Sequence, residues 1–201
     1  MTKIHVEYGY GLSEKNEWIQ FDTITALKIS KTISLSIKMF THKDMDLYFL
    51  NQIITIKTLS WPFSYESQIK WFENNFSESD LHYLLFDKEI LIGYLSLTKI
   101  EAEIDIKKVN NIWGIGSVCT FETGKGYGNL LMQTTNEWLK VNDQIGMLLC
   151  KDRVKDFYLK NNWILFDKID IRIERLINNE TNILFFNISH IDVFSYNGKL
   201  F

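Results

Sequence analysis

A glycine-rich turn between an apolar strand pattern and a helix pattern constrains this chain more than any other feature. The apolar run ends at about Thr120, three glycines follow within five residues, and apolar residues then recur at helical spacing from Tyr127 to Val141. Glycines let a backbone approach an anion closely, and a helix start offers N–H groups and a positive dipole end. The pattern therefore predicts a phosphate-binding loop, with a plain glycine turn as the alternative.

The glycine spacing separates this loop from two common phosphate loops. Gly124, Gly126 and Gly128 do not form the Gly-x-x-x-x-Gly-Lys-Ser/Thr of a Walker loop or the Gly-x-Gly-x-x-Gly of a dinucleotide-binding turn. They resemble the coenzyme A pyrophosphate loop of the GNAT superfamily of N-acetyltransferases, Arg/Gln-x-x-Gly-x-Gly/Ala, with Thr123 in place of Arg or Gln. The resemblance implies that acetyl-CoA, the co-substrate, is bound by Val118, Cys119, Thr120, Thr123, Gly124, Lys125, Gly126, Tyr127, Gly128 and Asn129.

A second motif follows one helix and one strand later. The run Phe157-Tyr158-Leu159-Lys160-Asn161-Asn162-Trp163 resembles the Phe-Tyr-x-Lys-x-Gly-Phe signature of the same superfamily. Asn162 replaces the glycine, and asparagine is the next best residue for a left-handed helix stop. The resemblance assigns Tyr158 the role of the acid that protonates the leaving thiolate, with packing beside Phe157 as the alternative. Lys151 stands where many relatives have a cofactor-binding asparagine.

The predicted elements follow the order βααβββαβαββ. Strands are predicted over 32–40, 81–86, 90–98, 109–120 and 145–150, a helix over 43–57, and a final strand pair over 163–176 and 181–190. The resemblance implies the GNAT α/β (α+β) fold, a central mixed and twisted sheet with splayed parallel strands, flanked by helices. We expect the acetyltransferase domain to cover residues 32–190, with an N-terminal extension of residues 1–31 packed on it and a C-terminal tail of residues 191–201.

Composition limits the classes of partner. The net charge of −3 and the scattered lysines do not favour nucleic-acid binding. No apolar run approaches the roughly 18 residues of a membrane span, and the N-terminus lacks the apolar core of a signal peptide. Cys119 and Cys150 lie in apolar strand patterns. We therefore expect them to be reduced core residues of a cytoplasmic protein, and not a disulfide or a metal site. The four histidines are far apart in the sequence, so we expect no metal site.

The resemblance implies direct transfer of an acetyl group from acetyl-CoA to a primary amine of a small molecule, such as an amino sugar or an aminoglycoside. A polyamine and a protein amine remain open as acceptors, and so do a monomer and a homodimer. A catalytically degenerate domain that binds acyl-CoA or a partner protein without turnover is the alternative, which the departures at Thr123 and Lys151 keep open.

The general base and the acceptor site are left open by the sequence. Glu101, Glu103 and Asp105 alternate along one strand face, where they could receive an amine or its proton, or form a solvated strand edge. Aromatic residues suit a sugar ring or an amine cation, and they suit an ordinary core equally well: Trp61, Phe63, Tyr65, Trp71 and Trp113.

Overall fold

A computed structural model describes residues 6–12, 18–21, 35–166, 169–175 and 181–201 of the chain. The chain divides into two compact units. The first unit consists of Met1–Ser96 and Ser117–Leu131, and the second of Leu97–Gly116 and Met132–Phe201. All the residues predicted to bind the cofactor therefore belong to the first unit, whereas Tyr158 belongs to the second.

The first unit is built on strands in the order β2-β1-β3-β4-β5, in which the pairs from β2 to β4 are antiparallel. Their bounds are β1 (Val6–Leu12), β2 (Trp18–Phe21), β3 (Leu35–Thr41), β4 (Leu81–Asp87) and the first part of β5 (Ile90–Ile104). Strand β1 pairs with β2 and with β3, and β3 pairs with β4 from Leu35↔Asp87 to Thr41↔Leu81. The segment predicted as an N-terminal extension thus contributes two strands to the sheet.

Two helices of the first unit follow a short 3-10 turn at His42–Asp44. Helix α1 (Leu47–Ser60) begins where the Asp46 carboxylate accepts the N–H of Phe49 at 2.9 Å. Helix α2 (Tyr65–Asn75) begins where the Ser64 hydroxyl accepts the N–H of Ser67 at 3.2 Å. Such side-chain acceptors satisfy N–H groups of a first turn. The apolar faces of these helices share a core with the strands, made of Ile53, Ile54, Ile56, Phe72, Leu84, Phe86, Leu91, Tyr94 and Cys119.

The second unit is built on the later part of β5 and on β6 (Lys107–Thr120) up to Gly116. Helix α3 (Tyr127–Val141) leads to β7 (Ile145–Lys151), and helix α4 (Asp152–Lys160) follows. Strands β6 and β7 are parallel from Ile112↔Ile145 to Ile115↔Leu148, and β7 pairs antiparallel with β9 (Thr181–Phe186). The core contains Ile100, Ala102, Ile104, Ile112, Met147, Ile173, Ile183, Phe185, Ile191, Phe194 and Tyr196.

The pairing of the last strands differs from the prediction. Strand β8 (Asp170–Ile173) pairs in parallel with β10 (Val193–Tyr196), which itself pairs antiparallel with β5. Among the described residues, the predicted contact of the run 163–176 with β9 is limited to an isolated bridge between Ile164 and Phe185. The segment predicted as a C-terminal tail therefore supplies the strand that joins β8 to the sheet.

The turn between β5 and β6 explains the position of β10. Asp105 and Ile106 have φ values of 49° and 63°, which is the left-handed geometry of a tight hairpin turn. One carboxylate oxygen of Asp105 accepts the N–H groups of Asp192 and Val193, both at 2.9 Å. The predicted strand 90–98 is consequently longer, because β5 continues to Ile104 before this turn.

Candidate functional site

The predicted phosphate loop lies between β6 and α3, and its backbone has a conformation that glycine permits. Gly124 has a φ of 78° and Gly126 a φ of 79°. A Cβ atom added at Gly124 would meet no heavy atom within 4 Å. The helix follows at once, because the N–H of Leu130 donates to the carbonyl of Gly126 at 3.0 Å. An open glycine loop that leads into the first turn of a helix can hold a phosphate on backbone N–H groups.

One side-chain hydrogen bond and one ion pair lie at the approach to the loop. The Thr120 hydroxyl donates to the carbonyl of Glu122 at 3.0 Å. The Lys125 ammonium lies 3.7 Å from the Glu122 carboxylate, and both side chains are more than half exposed. A surface pair of this kind contributes only about 0–1 kcal/mol, so Lys125 can exchange this partner for a phosphate at little cost.

The strand segment before the loop, Val118–Thr120, follows a backbone irregularity. Ser117 has a φ of 53°, and a left-handed residue inside a strand is typical of a β-bulge. The Cys119 side chain is buried in the core that α1 and α2 cover. Burial raises the pKa of the Cys119 thiol to about 12, despite the opposing effect of Lys57. Cys119 is therefore a protonated thiol at neutral pH, not a nucleophile.

Tyr158 lies two residues before the end of α4, and its side chain is buried, with 9% exposure. Its ring meets that of Phe157 edge-on, with 5.0 Å between ring centroids. Its carbonyl accepts the N–H groups of Asn161 and Trp163 at 3.0 and 3.1 Å. Packing beside Phe157, which the sequence offered as the alternative role of Tyr158, is therefore present, and it does not conflict with proton donation by the hydroxyl.

The end of α4 is fixed by the residues that replace the usual signature. Asn162 has a φ of 65°, which confirms the predicted left-handed helix stop. The indole N–H of Trp163 donates to the Asn136 side chain at 2.9 Å, and the Asn136 amide donates to the carbonyl of Asn161 at 2.8 Å. Asn136 thus connects the end of α4 to α3. These contacts help to hold the backbone of Tyr158 in place.

Cys150 near the end of β7 is also a buried thiol. Burial raises its pKa to about 11, with Lys155 opposing and Asp152 adding to the shift. Like Cys119, it is protonated at neutral pH. Lys151, which replaces the expected asparagine, occupies the N-cap position of α4 without a side-chain capping hydrogen bond.

The three carboxylates that were candidates to bind the acceptor amine or to take its proton have different surroundings. Glu101 and Glu103 are exposed and line an open cavity of about 540 Å³ together with Lys108, Asn110, Ser195 and Asn197. Asp105 instead accepts two backbone N–H groups of the β10 segment, and these hydrogen bonds lower its pKa. Asp105 is therefore a structural residue of the hairpin turn. Although it alternates with Glu101 and Glu103 in the sequence, its contacts differ from theirs.

The aromatic residues proposed for the acceptor site separate into three groups. Trp113 is buried, stacks edge-on with Trp138 and donates its indole N–H to Gln144 at 2.9 Å, so it belongs to a core. Phe63 and Tyr65 are well exposed at the junction of α1 and α2. Trp61 and Trp71 flank the side chain of Lys57, whose ammonium lies 3.5 Å from the centre of the Trp71 ring.

Two further observations on the described residues concern metal binding and membrane spans. Within them, no group of three or more His, Cys, Asp or Glu side chains could hold a metal ion. None of the helices in that part of the chain combines the length and the apolar character needed to span a membrane.

Several solved structures have a similar architecture. Escherichia coli ElaA matches with a TM-score of 0.56 at 14% identity, over 75% of this chain and 98% of that one. An acyl-CoA N-acyltransferase from Pseudomonas aeruginosa matches with a TM-score of 0.52 at 16% identity, over 76% and 99%. The PaiA N-acetyltransferase from Thermoplasma acidophilum, solved in complex with coenzyme A, matches with a TM-score of 0.50 at 16% identity, again over 76% and 99%.

The chain has the GNAT acyl-CoA N-acyltransferase fold. The predicted fold class is thereby confirmed, including the mixed sheet that contains a parallel strand pair. No family model matches the sequence, and no curated protein sequence matches it. At identities of 14–16% the likeness establishes the fold, and the activity has to be argued from the residues of this chain.

Sequence reasoning missed a buried polar cluster in the first unit. His82 and Tyr94 are fully buried, and their side chains are 2.8 Å apart. The other ring nitrogen of His82 lies 3.1 Å from His42. Burial lowers the pKa of His82 to about 3, with further lowering by His42 and Lys57. The available signal was the position of His82 inside an otherwise apolar strand, and of Lys57 directly after Ile53, Ile54 and Ile56.

Proposed function

We propose that this protein is an acetyl-CoA-dependent N-acetyltransferase that transfers the acetyl group directly to a primary amine of a small molecule. One observation carries the proposal: Gly124 and Gly126 have left-handed backbones at the start of a 15-residue helix, in an acyl-CoA N-acyltransferase fold. The same fold occurs in PseH of Campylobacter jejuni, which was solved in complex with acetyl coenzyme A.

Acetyl-CoA would bind along the first unit. Backbone N–H groups of residues 124–129 would hold the pyrophosphate, and Lys125 would leave Glu122 to neutralise part of its charge. The pantetheine arm would pair with the backbone of Val118–Thr120, the segment that follows the left-handed residue Ser117. Thr123 offers a hydroxyl where a longer Arg or Gln side chain is usual, so most of the affinity would come from the backbone.

Acetyl transfer to an amine requires a neutral amine and a proton for the departing thiolate. Tyr158 would supply that proton, because a neutral phenol and a thiol have comparable acidities. A route through an acetyl-cysteine intermediate is disfavoured by the raised pKa values of Cys119 and Cys150, which keep both thiols protonated. The acceptor amine would then attack the thioester directly.

A binding experiment tests the cofactor half of this proposal. Acetyl-CoA at about 100 times its Kd should add roughly 2.7 kcal/mol to the free energy of unfolding, and desulfo-CoA should act similarly. Gly124→Asn should abolish this stabilisation, because its side chain fills the open space above the loop. Asparagine tolerates a left-handed backbone, so the unliganded variant should keep its stability.

Lys88→Asn is the matched control, since Lys88 also has a left-handed backbone, with a φ of 55°, in the turn between β4 and β5. This variant should retain the full response to acetyl-CoA. A melting curve of the unmodified protein that does not move in millimolar acetyl-CoA would overturn the cofactor assignment.

The acceptor is then found by measuring coenzyme A thiol release against a panel of primary amines that includes amino sugars, aminoglycosides and polyamines. A second candidate function, a domain that binds acyl-CoA without turnover, is favoured by Thr123 and Lys151 at positions where active relatives usually have other residues. Binding of acetyl-CoA without thiol release over the whole panel would favour this second function.

A further inference from the structure

Lys57 is a buried lysine that has aromatic neighbours in place of a carboxylate. It lies in the last turns of α1 and is 4% exposed. Its ammonium lies 3.5 Å from the centre of the Trp71 ring, 4.8 Å from that of Phe72 and 5.9 Å from that of Trp61. In the described part of the chain, no carboxylate lies within ion-pair distance of this ammonium. We call the three rings the Lys57 cage.

Burial of an ammonium without a carboxylate favours the neutral amine. Burial accordingly lowers the pKa of Lys57 to about 8, while Cys119 acts weakly in the opposite direction. About one Lys57 side chain in ten is then a neutral amine at pH 7, against about one in a few thousand for a lysine in water. The cage thus maintains a nucleophilic amine at neutral pH, since the neutral form alone can attack a thioester.

Phe72 connects Lys57 to the strand segment that we propose to hold the cofactor. Cys119 lies within Val118–Thr120 and belongs to the core cluster that contains Phe72 of the Lys57 cage. Lys57 and Cys119 are close enough for each to affect the pKa of the other, although burial dominates both shifts. Both side chains are buried, at 4% and 5% exposure, so an acetyl group delivered along Val118–Thr120 would reach Lys57 through the interior of the first unit and not from bulk solvent.

We propose that Lys57 is an internal acetyl acceptor, which the protein acetylates from its own bound acetyl-CoA. The Lys57 nitrogen attacks the thioester carbonyl carbon, the new C–N bond forms and the C–S bond breaks. The proton lost by the nitrogen balances the thiolate, so the products are an acetyl-lysine and the free thiol of coenzyme A. The inference rests on the proposed binding of acetyl-CoA, but it does not depend on the identity of any external acceptor.

The product suits the cage better than the reactant does. Acetylation replaces a desolvated positive charge by a neutral amide, which removes the cost of keeping an ionised group in an apolar environment. The amide also loses the cation–π attraction to Trp71, a smaller effect of about 1–2 kcal/mol. Modification at this site would therefore persist once formed, and it would remove a positive charge from beside His82 and Cys119.

Mass spectrometry of the full chain tests this proposal. After incubation with acetyl-CoA, the intact protein should gain one acetyl group, and peptide mapping should place it on Lys57. Acetylation at Lys57 should be at least about tenfold faster than at Lys70, an exposed lysine of α2. Excess desulfo-CoA should suppress it, and so should Gly124→Asn at an acetyl-CoA concentration that this variant does not bind.

Two variants complete the test. Lys57→Arg keeps the charge and should lose the modification, whereas Lys70→Arg should retain it. Because Lys57→Arg could fail to fold in the cage, site mapping on the unmodified sequence is the decisive measurement. Stabilisation by acetyl-CoA without acetylation of Lys57, or acetyl groups spread evenly over the surface lysines, would overturn this inference and leave the proposed function intact. An absence of any response to acetyl-CoA would overturn both.

Discussion

At the scale of single residues, burial distinguishes the two cysteines of the predicted site from reactive thiols. Their pKa values of about 12 for Cys119 and about 11 for Cys150 leave almost no thiolate at neutral pH. We therefore expect Cys119→Ala and Cys150→Ala to leave measurable turnover with any acceptor that is found. Trapping of acetyl label on a cysteine that turnover requires would contradict direct transfer, and rapid-quench labelling makes this measurement.

Tyr158 carries the second prediction at this scale. Tyr158→Phe removes only the hydroxyl and keeps the edge-on contact with Phe157. Turnover should fall by roughly 10²–10⁴-fold, the usual loss for a missing general acid, while acetyl-CoA binding changes little. Tyr48→Phe is the control, since Tyr48 is an exposed tyrosine of α1 and should leave turnover unchanged. Full activity of Tyr158→Phe would show that another group protonates the thiolate.

His82 predicts how stability changes with pH. Its pKa of about 3 in the folded protein lies below the ordinary 6.5, chiefly because of burial. As the pH falls below 6.5, the unfolded chain binds a proton here that the folded protein does not bind. The folded state then loses about 1.4 kcal/mol per pH unit from this group, until the pH approaches 3.

Urea unfolding at pH 7 and pH 5 measures this effect. The loss of stability between these two pH values should be smaller by about 2 kcal/mol in His82→Gln, because glutamine does not titrate. Glutamine can also keep hydrogen bonds to His42 and Tyr94, so the variant should fold. Equal losses in the two proteins would mean that His82 is not the neutral buried group described above.

At the scale of elements, the hairpin turn between β5 and β6 contains an avoidable strain. Ile106 is β-branched, has a φ of 63° and is 89% exposed. A side chain in this backbone region costs about 1–2 kcal/mol, whereas glycine adopts it freely. Ile106→Gly should therefore raise the free energy of unfolding by roughly 0.5–1 kcal/mol, even though it adds a flexible residue.

The control for this prediction is Ile90→Gly. Ile90 is also an exposed isoleucine, but it begins β5 and its φ is not positive. Here glycine should destabilise the protein by roughly 0.5–1 kcal/mol. If thermal unfolding moved in the same direction for both variants, exposure rather than backbone geometry would explain the result.

At the scale of the whole molecule, the N-terminal strands cover an edge of the sheet. Strand β1 pairs with β3 over five residue pairs, from Val6↔Met39 to Tyr10↔Leu35. Removal of residues 1–21 would leave the N–H and C=O groups of that edge of β3 without these partners. An uncovered strand edge is a template for pairing with another chain.

We therefore expect the chain that lacks residues 1–21 to melt at a lower temperature and to associate, as measured by size-exclusion chromatography with light scattering. Removal of residues 1–5, which precede β1, should have little effect on either property. A stable, monodisperse truncated protein with the oligomeric state of the full chain would show that the extension is dispensable for the sheet.

Local chain chemistry decided much of this architecture. The glycine loop, the helix stop at Asn162 and the order of strands and helices depend on residues a few positions apart, so periodicity and turn residues predict them. The two motifs also indicated the fold, because they occur in the correct order around one helix and one strand. These features can be predicted from the sequence without knowledge of long-range contacts.

Long-range packing decided the rest. Asp105 meets Val193 across 88 positions, and His42 meets His82 across 40. Hydrophobic patterns show that a strand exists but not which strand it pairs with, so β10 rather than β9 as the partner of β8 could not be predicted. The pKa values of Lys57, His82 and Cys119 likewise arise from burial, which exists only when distant segments exclude water from the same place. The pKa values of these side chains are thus a tertiary property, whereas the helices and strands that carry them follow from the local sequence.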